Sequence, residues 1–150
     1  MLGKIYHEAI YVKRDIEKAI YFLTLAVNQN YLHAISYLGF IYYDDKYVKR
    51  DVSKAINYLS LAANQNDEQA LVDLGIIYYQ GKYVSCDAYK AIHYFTLASN
   101  LKSIFAQYNP GFIFYENKYI KRDTNKSIHY FTLASEQNHS DSQYSLGFIY

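Results

Sequence analysis

Histidine, cysteine and paired carboxylates are the side chains from which catalytic and metal sites are built, and here they are few and scattered. The five histidines are His7, His33, His93, His129 and His139, and only His93 and His129 share a register, 36 residues apart beside Ala91 and Ser127. Two histidines without a paired carboxylate motif are a poor metal ligand set, since zinc sites take three or four N, S or O donors. Solvated helix faces are the expected place for them. The single cysteine, Cys86, precedes Asp87. A helix N-terminus lowers a thiol's pKa and an adjacent carboxylate raises it, so an ordinary thiol is expected. One cysteine also excludes a disulfide framework or a multi-thiolate zinc site. No nucleophile, base and orienting group recur together; no catalytic residue, metal ligand or cofactor is assigned.

A different chemistry is suggested by Lys13-Arg14, Lys49-Arg50 and Lys121-Arg122, each closely following a tyrosine. Brought into line, they form a basic edge with interleaved rings, able to attract phosphates. The edge is broken by Ser85-Cys86, and each basic pair is followed by an aspartate. The formal net charge of +1 supplies no bulk attraction to nucleic acid or anionic membrane. Nucleic-acid binding therefore stands as the alternative reading. The most abundant recognition chemistry is aromatic: 20 Tyr and 8 Phe in 150 residues, with one Pro to interrupt helices.

What positions these side chains is a repeat. Gly3, Gly39, Gly75, Gly111 and Gly147 are spaced by 36 residues, giving four complete registers and the start of a fifth. The first two registers share 19 of 36 positions and the last two share 17, which excludes coincidence. Eight positions hold one residue type in all four complete registers, among them Asp15, Asp51, Asp87 and Asp123, and Lys18, Lys54, Lys90 and Lys126. In the second register, Val52, Ala55, Ile56, Leu59, Ala62 and Ala63 follow helical spacing after Asp51. Asp51, like Asp87 and Asp123, is placed to cap that helix. The helix is expected to stop near Asn66, with Asn30 and Asn138 in the same register and Lys102 departing from it.

The other helix of the pair runs from about His33 to Tyr43 and contains Gly39. Glycine inside a helix costs about 1 kcal/mol relative to alanine, so its recurrence predicts a neighbour too close for a side chain. Ala9, Asp45, Gly81 and Asn117 follow this helix in their registers, and a left-handed stop is expected there. The short link that remains permits only an antiparallel helical hairpin. Pro110 replaces the leucine of Leu38, Leu74 and Leu146. It predicts a kink, or a late helix start with Asn109 as cap.

The pattern Ala34, Leu38-Gly39, Tyr42, Val48, Asp51, Lys54-Ala55, Ala62-Ala63, repeated as Ala70, Leu74-Gly75, Tyr78, Gly81, Val84, Asp87, Lys90-Ala91, resembles the Sel-1-like repeat family. The resemblance implies an all-α, right-handed α/α superhelical solenoid of antiparallel helix pairs, one array over residues 1–150. Tyr11, Tyr47, Tyr83 and Tyr119 stand where the family's turn has a second glycine. Secreted cysteine-rich members pair two cysteines per repeat, and some of them are associated with β-lactam binding, which Cys86 alone does not support. In related solenoids the first helices line the concave surface. That implies a partner-binding face of Phe40, Tyr43, Val72, Ile76, Tyr79, Phe105, Tyr108, Phe112, Tyr115, Tyr144 and Phe148, with Gly39, Gly75, Gly111 and the three aspartates as structural positions.

The expected function is a non-catalytic scaffold or adaptor that takes a protein or peptide segment in this groove, without cofactor or small-molecule substrate. Family roles implied by the resemblance are assembly of signalling complexes and the adaptor of the ubiquitin ligase in endoplasmic-reticulum-associated degradation. A purely structural array, its rings spent on packing, is a further alternative. No apolar run reaches the ~20 residues of a spanning helix, and charges interrupt the first residues where a signal peptide needs an apolar run, so a cytoplasmic location is expected. Neither end carries a polar capping unit, which predicts a piece of a longer array or end-to-end stacking.

Overall fold

The computed structural model describes residues 15–116 and 119–150. Eight α-helices and no strand are present among them: α1 (Ile16–Asn28), α2 (Leu32–Tyr43), α3 (Val52–Ala63), α4 (Glu68–Gln80), α5 (Ala88–Asn100), α6 (Ile104–Glu116), α7 (Thr124–Ser135) and α8 (Ser140–Ile149). Gly3, Lys13-Arg14, His7, Tyr11, Ala9 and Asn117 lie outside the described residues.

The second helix of each repeat (α1, α3, α5, α7) starts in the same way. The carboxylates of Asp15, Asp51, Asp87 and Asp123 accept the backbone N–H of the lysine three residues on, at 3.0, 3.0, 2.9 and 3.0 Å. Each satisfies one of the free donors at a helix N-terminus. The backbone N–H groups of Asp51, Asp87 and Asp123 also donate to the carbonyls of Tyr42, Tyr78 and Phe114, each at 2.9 Å. The capping residue thus ties the start of one helix to the end of the preceding one, which closes the hairpin.

These second helices also end alike. Asn30, Asn66, Lys102 and Asn138 all have positive φ, between 56° and 66°. The next residue's N–H reaches back to the carbonyls of Ala26, Ala62, Ala98 and Ala134, the Schellman arrangement that satisfies carbonyls at a helix end. Lys102, at odds with its register by residue type, adopts the same left-handed geometry because these hydrogen bonds demand it.

For the first helices one expectation is met in part, and the late start expected at Pro110 fails. Of the described members of the stop register, only Gly81 has positive φ (60°); α2 ends on an extended Asp44 (φ −85°, ψ 119°). Side chains close that turn instead. Asp44 accepts the N–H of Lys46 at 3.0 Å, and Arg50 pairs with Asp45 at 2.9 Å while its Nε donates to the Tyr43 carbonyl at 2.7 Å. Nor does α6 start late at Asn109. It begins at Ile104 and carries Pro110 in its interior, where the ring is fully buried. Asn109 lies inside the helix and donates from its side-chain amide to the Phe105 carbonyl at 2.7 Å.

The residues group into two compact units, Met1–Ala70 and Leu71–Tyr150. In the first, α1 and α3 pack on α2, and Leu23, Ala34, Leu38 and Ile41 form a core flanked by Ile16, Ile20, Tyr42 and Tyr58. In the second, α5 and α7 pack on α6 and α8 packs on α7, with Phe95, Phe131, Ile113 and Leu74 buried. Burying such a side chain contributes about 1.5–3 kcal/mol. Within each unit the helical-repeat glycine admits the core residue of the second helix. A Cβ on Gly39 would stand 2.7 Å from Leu59 Cγ, on Gly75 2.6 Å from Phe95 Cε1, and on Gly111 2.7 Å from Phe131 Cδ1. Gly147 differs: nothing lies within 4 Å of its Cβ position.

Candidate functional site

The first helices α2, α4, α6 and α8 carry the residues expected to face a partner. On α2, Phe40 is exposed and stacks on Tyr37 with ring centroids 6.1 Å apart. Tyr43 is half-buried, with the Arg50 guanidinium 6.0 Å from its ring centre.

On α4, Ile76 and Tyr79 are half-buried and Val72 is buried, with 8% of its surface exposed. Val72 therefore leaves the expected binding face. It stands three residues before its glycine, the register of Tyr108, whose ring packs 5.6 Å from the core ring of Phe131. Tyr144 holds the same register and is exposed, so the register alone does not set burial.

On α6, Phe105 is exposed and meets Phe95 edge-on at 6.5 Å. Tyr108 is half-buried among Phe112 at 6.2 Å, Phe131 and His139 at 4.9 Å. Burial, and then the negative charges of Asp141 and Glu116, push its hydroxyl pKa up. Phe112 is half-buried, and Tyr115 is half-buried beneath Arg122, whose guanidinium lies 4.0 Å from the ring centre. On α8, Tyr144 and Phe148 are 76% and 73% exposed. The rings are thus of two kinds: Phe40, Phe105, Tyr144 and Phe148 are exposed, while Tyr43, Tyr108, Phe112 and Tyr115 are half-buried against neighbours.

The two described arginines of the basic pairs lie against tyrosine rings. Arg50 serves Asp45 and Tyr43, and Arg122 covers Tyr115, so each links a hairpin turn to the end of a first helix. In the third register Cys86 takes the place of Arg, and its Sγ donates to the Tyr79 carbonyl at 3.3 Å. Beside Arg122 an open cleft of about 490 Å³ is lined by Tyr89, Phe114, Lys121, Asp123 and Lys126. Its cations are partly neutralised: the Lys126 ammonium lies 3.5 Å from Asp123 and 5.0 Å from the centre of the Phe114 ring.

His93 and His129 are exposed and stand edge-on to Tyr94 and Tyr130. No group of three or more His, Cys, Asp or Glu able to hold a metal occurs among the described residues. His139 has a structural task that spacing did not reveal. Its Nδ1 accepts the Ser142 N–H at 3.2 Å and so caps α8.

A second missed feature is a ladder repeated in three hairpins. Tyr42 stacks on Tyr58, Tyr78 on Tyr94 and Phe114 on Tyr130, nearly parallel at 5.9, 5.8 and 6.1 Å. Lys54, Lys90 and Lys126 hold their ammonium groups 5.0, 4.9 and 5.0 Å from the first ring of each pair. Such cation–π contacts contribute about 0.5–1 kcal/mol at exposed sites. The signal was present as a ring three residues after each glycine and a second sixteen residues further on.

A family model of the Sel1 repeat matches residues 1–31, 32–67, 68–103 and 104–139. Among solved structures, a protective antigen of uropathogenic Escherichia coli strains displaying an SLR fold is similar at 26% identity and a TM-score of 0.87, covering 99% of this chain and 32% of that one. A Sel1 repeat protein from Oxalobacter formigenes is similar at 26% identity and 0.83, covering 99% and 61%. The cysteine-rich protein B of Helicobacter pylori gives 26% identity and 0.62, covering 89% and 96%. This chain thus spans less than two thirds of the length of the first two. No curated protein matches it.

Proposed function

Because the chain belongs to the Sel1 repeat family, whose fold is typical of non-catalytic scaffolds for protein–protein interaction, we propose that it holds an apolar partner segment on the open rings of its first helices. The supporting observation is the exposure of Phe105, Tyr144 and Phe148 in the second unit, beside rings already fixed by their neighbours. Aromatic anchors on a rigid surface are what binding hot spots favour, since they bury much area at little conformational cost. In the first unit Phe40, stacked on Tyr37, offers the same chemistry. The partner is a protein or peptide with apolar side chains at helical or extended spacing. The reading places the chain in the cytoplasm, where a lone thiol such as Cys86 stays reduced. The adaptor role in protein degradation and the assembly of signalling complexes are family functions within this reading. No membrane attachment is invoked, and no helix among the described residues is long and apolar enough to cross one.

The test is capture of partners by the wild-type chain and by a Phe105→Ala, Tyr144→Ala, Phe148→Ala variant, both checked for helicity by circular dichroism. Exposed positions tolerate truncation, so the variant is expected to fold and to lose the captured partner. Equal capture by both proteins would refute the open-ring surface.

A further inference from the structure

The cleft beside the start of α7 sets three cations, Lys121, Arg122 and Lys126, against one carboxylate, Asp123, between the rings of Tyr89 and Phe114. Lys126 is spent on Asp123, at 3.5 Å, and on the Phe114 ring. Lys121 and Arg122 are exposed, and among the described residues no carboxylate pairs with either. Arg122 lays its guanidinium 4.0 Å from the centre of the Tyr115 ring. Stacking occupies a face of the guanidinium and leaves its in-plane N–H groups for an acceptor, with the fork already oriented. The helix end itself is not the seat of this charge, because Asp123 caps it.

The other registers neutralise or delete the same groups. Arg50 pairs with Asp45 at 2.9 Å, a position that reads Asn117 in the fourth register. The third register has Ser85-Cys86 in place of the basic pair, and Tyr89 itself falls in the register of Glu17 and Ser53. The cations thus make a single seat and not a continuous track, which suits one phosphate group and not a nucleic-acid strand. We propose that this cleft binds a phosphotyrosine side chain carried by a partner segment. Lys121 and the in-plane edge of Arg122 hold the dianionic phosphate, and the exposed Tyr89 packs against the phenyl ring. A peptide source follows from the openness of the cleft, which leaves a free small molecule largely in water, whereas residues flanking the phosphate add contacts. The site uses none of the open rings proposed above, so either can fail alone.

The test titrates the 150-residue chain into a fluorescein-labelled peptide, Ala-Ala-phosphotyrosine-Ala-Ala, and into its unphosphorylated form, followed by fluorescence polarisation. A Kd of about 10–100 μM is expected for the phosphorylated peptide, with no saturable binding of the other. Lys121→Glu changes an exposed side chain, keeps the fold and reverses the charge at the seat; it is expected to weaken binding at least about tenfold. Arg122→Lys, which keeps the charge and loses the fork, is expected to fall between that variant and the wild type. The Phe105→Ala, Tyr144→Ala, Phe148→Ala variant is expected to bind the phosphopeptide like the wild type, which separates this site from the open rings. Equal binding of the two peptides, or an unaffected Lys121→Glu, would overturn the proposal. Tighter binding of adenosine monophosphate or of a single-stranded RNA than of the phosphopeptide would assign the cleft to nucleotides and would also overturn it.

Discussion

The same glycine register makes opposite demands at two positions. A methyl group on Gly111 would press on the Phe131 ring from 2.7 Å, and Phe131 is buried with no slack. Gly111→Ala is therefore expected to lower stability by about 1–3 kcal/mol, overpacking outweighing the gain in helix propensity. Gly147→Ala adds its methyl to open space and is expected to be neutral or to stabilise by up to about 1 kcal/mol. Urea denaturation of the two variants checks the contrast; equal effects would mean that the close approach at Gly111 carries no energetic weight. Proton binding gives a second handle at this scale. The Lys18 N–H and then its ammonium hold the Asp15 carboxyl below the ordinary carboxylate range, and the Lys126 N–H does the same for Asp123. A carboxylate more acidic in the folded chain binds fewer protons there than when unfolded. Its contribution is complete above the unfolded value and is lost as pH falls through the lowered folded value. Stability measured from pH 7 downward is expected to drop across that acid range, and Asp123→Asn to drop less steeply; parallel curves would contradict this.

Helix by helix, the sequence was most informative where one residue does one local task. The capping aspartates and the left-handed Asn30, Asn66 and Asn138 are visible because a carboxylate before an apolar run, or an asparagine after one, has few other reasons to recur. Lys102 was opaque because the hydrogen bonds to Ala98 and Ser99 set its geometry, not its own preference. Asp45 misled for the converse reason: it tolerates positive φ, but the pairing with Arg50 supplies another closure. Val72 shows that register alone does not separate a lining residue from a packed one: Tyr144, in the same register, is exposed. Pro110 exposes the limit of local rules. The buried interface with α7 keeps α6 helical through a residue that removes one hydrogen bond and crowds the carbonyl four residues back. Replacing it with the leucine of the other registers, Pro110→Leu, restores an N–H that can reach the Ala106 carbonyl. A stabilisation of about 1–3 kcal/mol is expected in thermal melts, with slow amide exchange at position 110. No gain would show that the packing around the proline is already optimal.

For the molecule as a whole, the period of 36 residues dictates that each helix pair buries its apolar side only against a neighbour, so stability accrues pair by pair. What the period does not dictate is which rings remain open. Phe112 and Phe148 share one register, yet Phe112 is half-buried in the Tyr108 cluster and Phe148 is exposed. Tertiary surroundings, not residue type, separate a packed ring from an exposed one. In the basic turns of the second and fourth registers, Arg50 and Arg122 lie over tyrosines within the hairpin. An interaction carried by open rings should be nearly insensitive to salt, whereas phosphate contacts weaken steeply as counterions are retained. The most direct measurement is the affinity of a captured partner for the wild-type chain and for the Phe105→Ala, Tyr144→Ala, Phe148→Ala variant, by calorimetry between about 50 and about 500 mM salt. The account predicts a wild-type Kd that changes little with salt and a variant weakened at least about tenfold. A steep salt dependence with an unaffected variant would contradict it.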